Sequence, residues 1–244
     1  MLQWVGMMLL PDTSRRLLEP ELMDDPALDA VRHGEALRGL ERINRLSASV
    51  RILWRPIAEL ARVCGAGPLS LLDLATGAGD VPIGLWKRAE SRGIRLQVDA
   101  CDRSTRAVEH ARRRAEEAGA RIHFFDGDAV RDPIVHGYDV IMCSLFLHHL
   151  SRPKGLDLLK KMAGSARRMV LINDLERSPA GYLLARLGTC LITRSSVVHV
   201  DGPRSVRAAY TLFEARGLAD DAGLDHADIQ RHWPRRWLLK WNRT

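Results

Sequence analysis

From Leu69 onward, short apolar segments alternate with segments of helical periodicity, and no other feature of the sequence constrains the fold as strongly. Five strands are predicted, at 69–75, 95–101, 121–127, 138–147 and 167–174. Helices are predicted between them, at about 81–91, from the N-cap Ser104 to Gly119, and at 153–164. Strands that are apolar along nearly their whole length and are separated by helices indicate a parallel sheet with both faces covered. The sequence therefore predicts an α/β fold.

The first quarter of the chain does not follow this alternation. Residues 1–30 show little periodicity, and prolines and acidic residues are interspersed among them. Residues 31–62 have the apolar spacing of a helix, which Pro56 is expected to kink or split. We therefore predict a helical cap over 1–65, ahead of the main part at 66–244.

The end of the chain also differs from its centre. After the fifth strand a long and partly apolar stretch, 175–210, has the character of a cover that lies over a pocket. A helix at 210–223 follows, and then two short strands at about 225–232 and 235–241. Because no low-complexity linker interrupts the sequence, we predict one structural domain overall.

The stretch LLDLATGAGD, 71–80, joins the first predicted strand to the first helix of the alternation. Open parallel sheets bind ligands beyond the carboxyl ends of their strands, so this turn is a candidate binding site. Gly77 and Gly79 suit such a place, because a Cβ would keep the backbone away from a ligand, although a turn without a ligand also favours glycine. Pro82 replaces the third glycine of a dinucleotide fingerprint, and Asp80 would repel a phosphate. The turn thus disfavours dinucleotides and suits a cationic ligand with an amino-acid portion.

Carboxylates also follow the next two predicted strands. Asp102 stands at the end of the second strand, where an acidic side chain can accept both hydroxyls of a ribose. Asp128 follows the third strand and is placed to accept an exocyclic amine beside the amide of Ala129. Either residue could instead cap the end of its strand, and Asp73 could merely brace the turn. Acidic groups after three strands suit a nucleoside joined to a positive charge, which describes S-adenosylmethionine.

Four segments in this order resemble motifs of the class I S-adenosylmethionine-dependent methyltransferases. They are LLDLATGAGD, the acid Asp102, the segment DGDA at 126–129, and YDVIMCSLFLHHL at 138–150. The last of these is similar to the small-molecule branch related to ubiquinone and menaquinone methyltransferases. The resemblance spans about 50–175, together with the helix and hairpin near the end of the chain. It implies a Rossmann-like, seven-stranded, mostly parallel sheet of order 3-2-1-4-5-7-6, with strand 7 antiparallel and helices on both faces.

The resemblance also implies a cofactor, S-adenosyl-L-methionine, and its product, S-adenosyl-L-homocysteine. The residues that it assigns to cofactor binding are Asp73, Ala75, Gly77, Gly79, Asp102, Arg103, Asp128, Ala129, Cys143 and Arg45. Among these, Arg45 is expected to close over the methionine carboxylate from the cap.

Three histidines are candidates for a catalytic base. Histidine suits proton abstraction from a hydroxyl at neutral pH. His148 and His149 follow the fourth strand, where the methyl group should lie, although this pair could shape the pocket without taking a proton. His199 is a third candidate, in the predicted cover, and could instead be a surface histidine. Asp174 and Arg177 could orient a polar acceptor, or act as a helix cap and a solvated cation.

The methyl acceptor is predicted to be a small, partly apolar molecule. The apolar cover segment GYLLARLGTCLI suits an aromatic or polyketide-like ring, methylated on oxygen or on carbon. The motifs of amino-group and cytosine C5 DNA methyltransferases are absent, which disfavours nucleic acid. The net charge of +7 and the tail RHWPRRWLLKWNR keep RNA methylation as an alternative, although the tail also fits a hairpin whose tryptophans pack on the core. A non-catalytic relative that binds S-adenosylmethionine is a further alternative.

Cysteine usage and hydropathy complete the sequence predictions. The four cysteines are widely spaced and form no CxxC pair, as expected of reduced thiols. No metal-ligand spacing stands out, so the sequence predicts no metal site. No apolar stretch has the roughly 20 residues of a membrane span. We expect a cytoplasmic protein that is a monomer or homodimer and whose partner is a small-molecule acceptor.

Overall fold

A seven-stranded sheet is the framework of the protein. The computed structural model describes residues 12–25, 27–46, 48–65 and 67–243. The strands are Leu69–Leu74 (β1), Leu96–Asp102 (β2), Ile122–Asp126 (β3), Val140–Ser144 (β4), Met169–Leu175 (β5), Asp228–His232 (β6) and Arg236–Asn242 (β7). Their order in the sheet is β3-β2-β1-β4-β5-β7-β6, and β7 is antiparallel to both of its neighbours. The predicted α/β fold and strand order are confirmed.

Helices lie on both faces of this sheet. They are Ala30–Leu46 (α1), Ser49–Cys64 (α2), Asp80–Glu90 (α3), Thr105–Glu117 (α4), Arg152–Ser165 (α5), Pro179–Ile192 (α6), Ser196–Ala208 (α7) and Leu212–Asp221 (α8). Helices α2, α3 and α4 pack on one face, and α5 and α8 pack on the other. Among the described residues, no helix is both long enough and apolar enough to cross a membrane.

The core consists of two apolar layers, one on each face of the sheet. In β4, Ile141 and Cys143 join the layer beneath α5 and α8, whereas Val140 and Met142 join the layer beneath α2 and α3. Successive side chains of a strand point to opposite faces, so both sets must be apolar when both faces are covered. This explains why the central strands are continuous apolar runs in the sequence.

The prediction that Pro56 kinks or splits the helical segment 31–62 is wrong. The break lies between α1 and α2, where Ala48 has the left-handed φ of 61°. Pro56 lies inside α2, which buries Leu53 and Ile57 completely against the sheet. Burial of such a side chain contributes about 1.5–3 kcal/mol, so two of them offset the roughly 3 kcal/mol cost of a proline inside a helix. Tertiary packing therefore decides where this segment bends.

The basic tail forms the predicted hairpin of β6 and β7, but only part of its aromatic content is buried. Trp237 is fully buried, and Trp241 packs partly buried against the same core layer. Trp233 lies in the turn between the strands and is 70% exposed. The expectation that the tail tryptophans pack on the core is therefore wrong for Trp233.

A segment before α1 lies along the cover helices. We call residues 12–25 the strap. The backbone N–H of Leu17 donates to the carbonyl of Arg207, and that of Leu22 donates to the carboxylate of Asp201, both in α7. The strap, α1, α6 and α7 together lie over the carboxyl ends of β1 and β4.

Candidate functional site

A cavity of about 380 Å³ opens at the carboxyl ends of β1 and β4, beneath the cover helices. Its polar lining includes residues of the turn after β1, the loop after β4, the strap, α1 and β7. Its apolar lining comes from α1, α6 and α7. The residues that line it include Ala75, Thr76, Gly77, Asp80, Ser144, His148, His149, Glu21, Leu37, Leu184, Ile192, Val206 and Arg236. One cavity thus joins the predicted cofactor turn to two of the three predicted catalytic histidines.

The turn after β1 presents bare backbone to this cavity. Ala75 and Gly77 have left-handed φ angles of 54° and 56°. A Cβ added to Gly77 would meet no atom within 4 Å, so its backbone borders open space. The Gly77 N–H donates to Oδ2 of Asp102 at 2.8 Å, which fixes the turn against the end of β2. A ligand can therefore approach the main chain here closely, as the sequence predicted.

Gly79 lacks a side chain for a different reason. It has a φ of 73°, and an added Cβ would lie 2.9 Å from the Cβ of Ala111 and 3.1 Å from the ring of Phe124. These two residues belong to α4 and β3, which pack beneath the turn. The predicted reason for Gly79, closeness to a ligand, is wrong. Packing of the turn against its own fold requires the glycine.

Two acidic side chains of this turn have raised pKa values. Burial raises the pKa of Asp73 to about 8, although the hydroxyl of Thr76 donates to its Oδ2 at 2.7 Å. The other oxygen, Oδ1, is buried without a hydrogen-bond partner among the described residues. Burial also raises the pKa of Asp80 to about 6, opposed by Arg114 and by a hydrogen bond with Asn44. Both groups would gain from a cation in the cavity, because its charge favours their ionised forms.

Asp102 holds together the ends of β1 and β2. Its Oδ2 accepts from the Gly77 N–H, and its Oδ1 accepts from the Ser104 N–H at 2.9 Å. Contact of this carboxylate with the hydroxyls of a ribose stays a prediction. The neighbouring Arg103 is exposed and lines a shallow hollow at the ends of β2 and β3.

Asp128 lines the same hollow, but its carboxylate accepts hydrogen bonds from the backbone of its own loop. Its Oδ1 accepts the N–H groups of Val130 and Arg131 at 2.9 and 3.2 Å. Partial burial opposes ionisation, but these hydrogen bonds lower the pKa of Asp128 overall. The local capping role that was the alternative interpretation is therefore present. The adjacent Ala129 is buried, and contact with an adenine stays a prediction for both residues.

The remaining two predicted cofactor residues are Cys143, in β4, and Arg45, in α1. The Cys143 side chain is fully buried in the core layer beneath α5, and burial raises the pKa of its thiol. The Cys143 side chain is therefore turned into the core, and cofactor binding by this residue stays a prediction. Arg45 belongs to α1, but its side chain lies outside the described part of the chain.

His148 is paired with a buried carboxylate. Its Nδ1 lies 2.6 Å from Oδ1 of Asp174, and its backbone N–H donates to Oδ2 at 3.0 Å. Both side chains are almost fully buried. Burial alone would lower the pKa of His148, but the charge of Asp174 reverses this and raises it. Since Nδ1 is engaged, Nε2 faces Glu21, whose Oε1 is 3.9 Å away.

His149 stands beside His148, with ring centroids 4.2 Å apart. Its Nδ1 lies 3.8 Å from Oε1 of Glu21. Burial, and then the charge of His148, lower the pKa of His149 to about 4. Glu21 therefore faces both histidines from the strap.

Sequence reasoning missed Glu21 and Arg236. Glu21 lies in a segment without periodicity, and nothing in that segment indicates its place in the fold. It reaches the cavity because the hydroxyl of Ser205, in α7, donates to its Oε1 at 2.5 Å. Arg236 was seen only as part of a basic tail, yet it is fully buried in β7 and lines the cavity. Burial lowers the pKa of Arg236 to about 10.

The structure places His199 and Arg177 away from the cavity lining. The Nε2 of His199 lies 2.8 Å from the carbonyl oxygen of Thr193, so the prediction of a base at His199 is wrong. Arg177 is buried and donates to both carboxylate oxygens of Glu214 at 2.6 and 2.8 Å. Arg177 is therefore neither a solvated cation nor a group that orients the acceptor, because it is buried, pairs with Glu214 and does not line the cavity.

Comparison with known proteins places this site in a family context. Residues 71–168 match the family described as "Methyltransferase domain". Over 134 residues, 53% of the chain, the protein is 31% identical to the demethylmenaquinone methyltransferase of Thermus thermophilus, of which the match covers 58%. The chain thus spans little more than half the length of this curated relative.

Solved structures share the fold across most of the chain. The S-adenosylmethionine-dependent methyltransferase SibL, in its apo form, has a TM-score of 0.63 at 20% identity and is matched over 96% of this chain and 64% of its own. The magnesium protoporphyrin IX methyltransferase of Synechocystis PCC 6803, with bound S-adenosylhomocysteine, has a TM-score of 0.57 at 18% identity, over 90% of each chain. At these identities the similarity establishes the fold.

Proposed function

We propose that the chain, which resembles the class I S-adenosylmethionine-dependent methyltransferases related to the quinone methyltransferases, methylates an oxygen of a small aromatic or polyketide-like molecule. Bound S-adenosylmethionine supplies a methyl group on a positively charged sulfur. The residues proposed to hold it are those of the turn after β1, with Asp102 on the ribose and the hollow at Asp128 and Ala129 on the adenine.

The observation that carries the proposal is the single cavity shared by the cofactor turn and a polar cluster. Gly77 and Asp80 lie on one wall of it, and Glu21, His148 and His149 lie on another. Methyl transfer is a direct displacement, so holding the acceptor atom in line with the methyl carbon supplies much of the acceleration. A hydroxyl placed against this cluster has groups beside it that favour loss of its proton.

The rest of the lining supports a small and partly apolar acceptor. Leu37, Leu184, Ile192 and Val206 come from three different helices and face the cavity. Apolar walls with a few convergent polar groups are typical of small-molecule sites, and about 380 Å³ is within their usual range. The cover helices would also exclude water from a reacting methyl group.

Calorimetry with S-adenosylhomocysteine tests whether the chain binds the cofactor. We expect saturable binding of one molecule per chain, and no heat of binding at millimolar ligand would reject the proposal.

Transfer of labelled methyl to a panel of phenols and their O-blocked analogues tests the proposed methyl acceptor. Label on the phenolic oxygen is expected, whereas label retained with the blocked analogues would point to carbon. Binding without transfer to any acceptor in a cell extract would identify a non-catalytic relative.

A basic groove favours RNA methylation as a second candidate function. The groove has a volume of about 520 Å³, and the exposed Trp233 borders both it and the cavity. Its lining includes Trp54 and four cations, with two acids between them, of which Glu59 pairs with two of the cations; the charged residues are Arg51, Arg55, Arg88, Lys240, Glu59 and Asp228. Cations interleaved with aromatic rings can hold a single strand by charge and stacking. Binding of an RNA oligonucleotide that weakens steeply with salt would favour this function, and negligible binding at low salt would exclude it.

A further inference from the structure

Glu21, His148 and His149 converge on one point without bonding to each other. One ligand atom from each lies within 4.8 Å of the other two. Oε1 of Glu21 is 3.9 Å from Nε2 of His148 and 3.8 Å from Nδ1 of His149. A hydrogen bond between such atoms would be about 2.7–3.2 Å long. The three groups therefore face a common space that is too wide for direct pairing.

The spacing suits an ion between them. A tetrahedral zinc site with bonds of about 2.1 Å separates neighbouring ligand atoms by about 3.4 Å. The separations of 3.8 and 3.9 Å from Glu21 to the two histidines exceed that value by about 0.4 and 0.5 Å. Two histidines and one carboxylate, with further positions open, are the donor set of many catalytic zinc and non-haem iron sites.

The groups behind these side chains hold them in the orientation that a metal site needs. Asp174 takes up Nδ1 of His148, which leaves Nε2 to face Glu21, and a carboxylate behind a histidine is typical of metal ligands. Ser205 donates to Glu21. The carboxylate of Asp201 accepts the N–H groups that follow Glu21 in the strap. Both sides of the site are therefore fixed by partners outside the cluster.

We propose that Glu21, His148 and His149 bind one divalent transition-metal ion of the zinc type, which takes the oxygen of the methyl acceptor as a further ligand. This inference rests on the proposed function, because it assigns the acceptor to the polar wall of the cavity. It also adds a site that the sequence did not predict, since its ligands come from the strap and from the loop after β4.

The ion would act as a Lewis acid. Coordination lowers the pKa of the acceptor hydroxyl, whose proton leaves to solvent. An oxygen lone pair then forms the new bond to the methyl carbon as the carbon–sulfur bond breaks. The electron pair of that bond goes to sulfur and yields S-adenosylhomocysteine. The metal ion keeps its oxidation state, so the step needs no oxidant or reductant.

Zinc binding by the full chain, first treated with a chelator, tests this proposal. Calorimetry should find one Zn²⁺ per chain, and the ion should raise the Tm, because a ligand of the folded state stabilises it. Glu21→Gln and His149→Ala should each weaken the affinity for Zn²⁺ by at least about 100-fold, and Asp174→Asn by about 10- to 100-fold. Glu21→Gln keeps the shape of the side chain, so a cooperative thermal transition without zinc would show that the fold is intact.

The control is His136→Ala, which removes an exposed histidine outside the cluster and should leave zinc binding unchanged. Equal binding by the wild type and by the Glu21 and His149 variants would overturn the proposal, as would a wild type that binds no zinc. Calorimetry with S-adenosylhomocysteine on the metal-free protein separates the two proposals. If it binds but zinc does not, only the metal site fails. If it binds neither with nor without zinc, the proposed function itself fails.

Discussion

At the scale of single residues, the carboxyl of Asp73 is the most unusual group in the fold. It is 1% exposed near the carboxyl end of β1, an interior strand of the sheet. One of its oxygens has no hydrogen-bond partner among the described residues. Desolvation disfavours the ionised form, which is why its pKa rises to about 8. A group of this kind makes the stability of the protein depend on pH.

We expect Asp73 to destabilise the fold as pH rises toward 8. Between about pH 4 and pH 8 the folded protein keeps a proton that the unfolded chain releases, so the free energy of unfolding falls with pH. The loss from this group has an upper bound of about 1.4 kcal/mol per pH unit. Urea unfolding of the wild type and of Asp73→Asn at pH 6, 7 and 8 should give a shallower decline for the variant. Parallel declines would show that folded Asp73 does not keep a proton that the unfolded chain has released.

Asp102 is expected to carry much of the affinity for the cofactor. Hydrogen bonds to a charged group contribute about 1.5–3 kcal/mol, so Asp102→Ala should weaken S-adenosylhomocysteine binding by about 10- to 100-fold. Calorimetry measures this directly. Asp99→Ala is the matched control, because Asp99 belongs to the same strand but pairs with Tyr138. Equal effects of the two substitutions would contradict a ribose-binding role.

At the scale of elements, the turn between β1 and α3 contains two glycines that are needed for different reasons. Gly77 borders open space, whereas Gly79 is enclosed by Ala111 and Phe124. Both have positive φ, so a Cβ at either costs about 1 kcal/mol or more. Only at Gly79 does steric overlap add to that cost. The same residue type thus borders open space at one position and allows a packing contact two residues later.

The two glycines should therefore respond differently to alanine. Gly77→Ala is expected to lower the free energy of unfolding by only about 1–2 kcal/mol while weakening S-adenosylhomocysteine binding. Gly79→Ala is expected to cost more stability, because overlap with buried side chains typically adds about 1–3 kcal/mol. Urea unfolding and calorimetry on both variants measure the two effects. A Gly77 variant with unchanged affinity would show that the ligand does not approach this backbone.

At the scale of the whole molecule, Arg177 ties three distant segments together. From the end of β5 it donates to Glu214 in α8, to the carbonyl of Ala209 after α7, and to the carbonyl of Thr13 in the strap. The strap in turn carries Glu21 to the cavity. The integrity of the candidate site therefore depends on a buried cation that does not line it.

Replacement of Arg177 should destabilise the protein strongly. Arg177→Met keeps much of the side-chain volume but leaves Glu214 without its partner, at an expected cost of about 2–4 kcal/mol. Arg152→Met is the matched control, because its pair with Asp221 is half exposed and is expected to contribute at most about 1 kcal/mol. Urea unfolding compares the two. Equal losses would mean that the buried network adds no stability.

The sequence by itself determined the sheet and the cofactor turn. Strand–helix alternation and the apolar runs of β1, β4 and β5 reflect short-range rules, because periodicity and turn chemistry act between neighbours in the chain. The resemblance of the motifs fixed the strand order. Asp102 and Gly77 could be proposed from the sequence because Asp102 ends β2 and Gly77 lies in the turn that follows β1.

Only the tertiary structure decided which distant groups meet at the polar wall of the cavity. Glu21 lies in a segment without periodicity. Its position depends on Ser205 in α7, which is 184 positions away in the sequence. The pairing of His148 with Asp174 joins residues 26 positions apart in the sequence, one just after β4 and the other in β5, which lie side by side in the sheet. His199, although its residue type suited catalysis, points to a backbone carbonyl instead. Contacts between segments far apart in sequence are set by packing of the whole domain, and local periodicity carries no record of them.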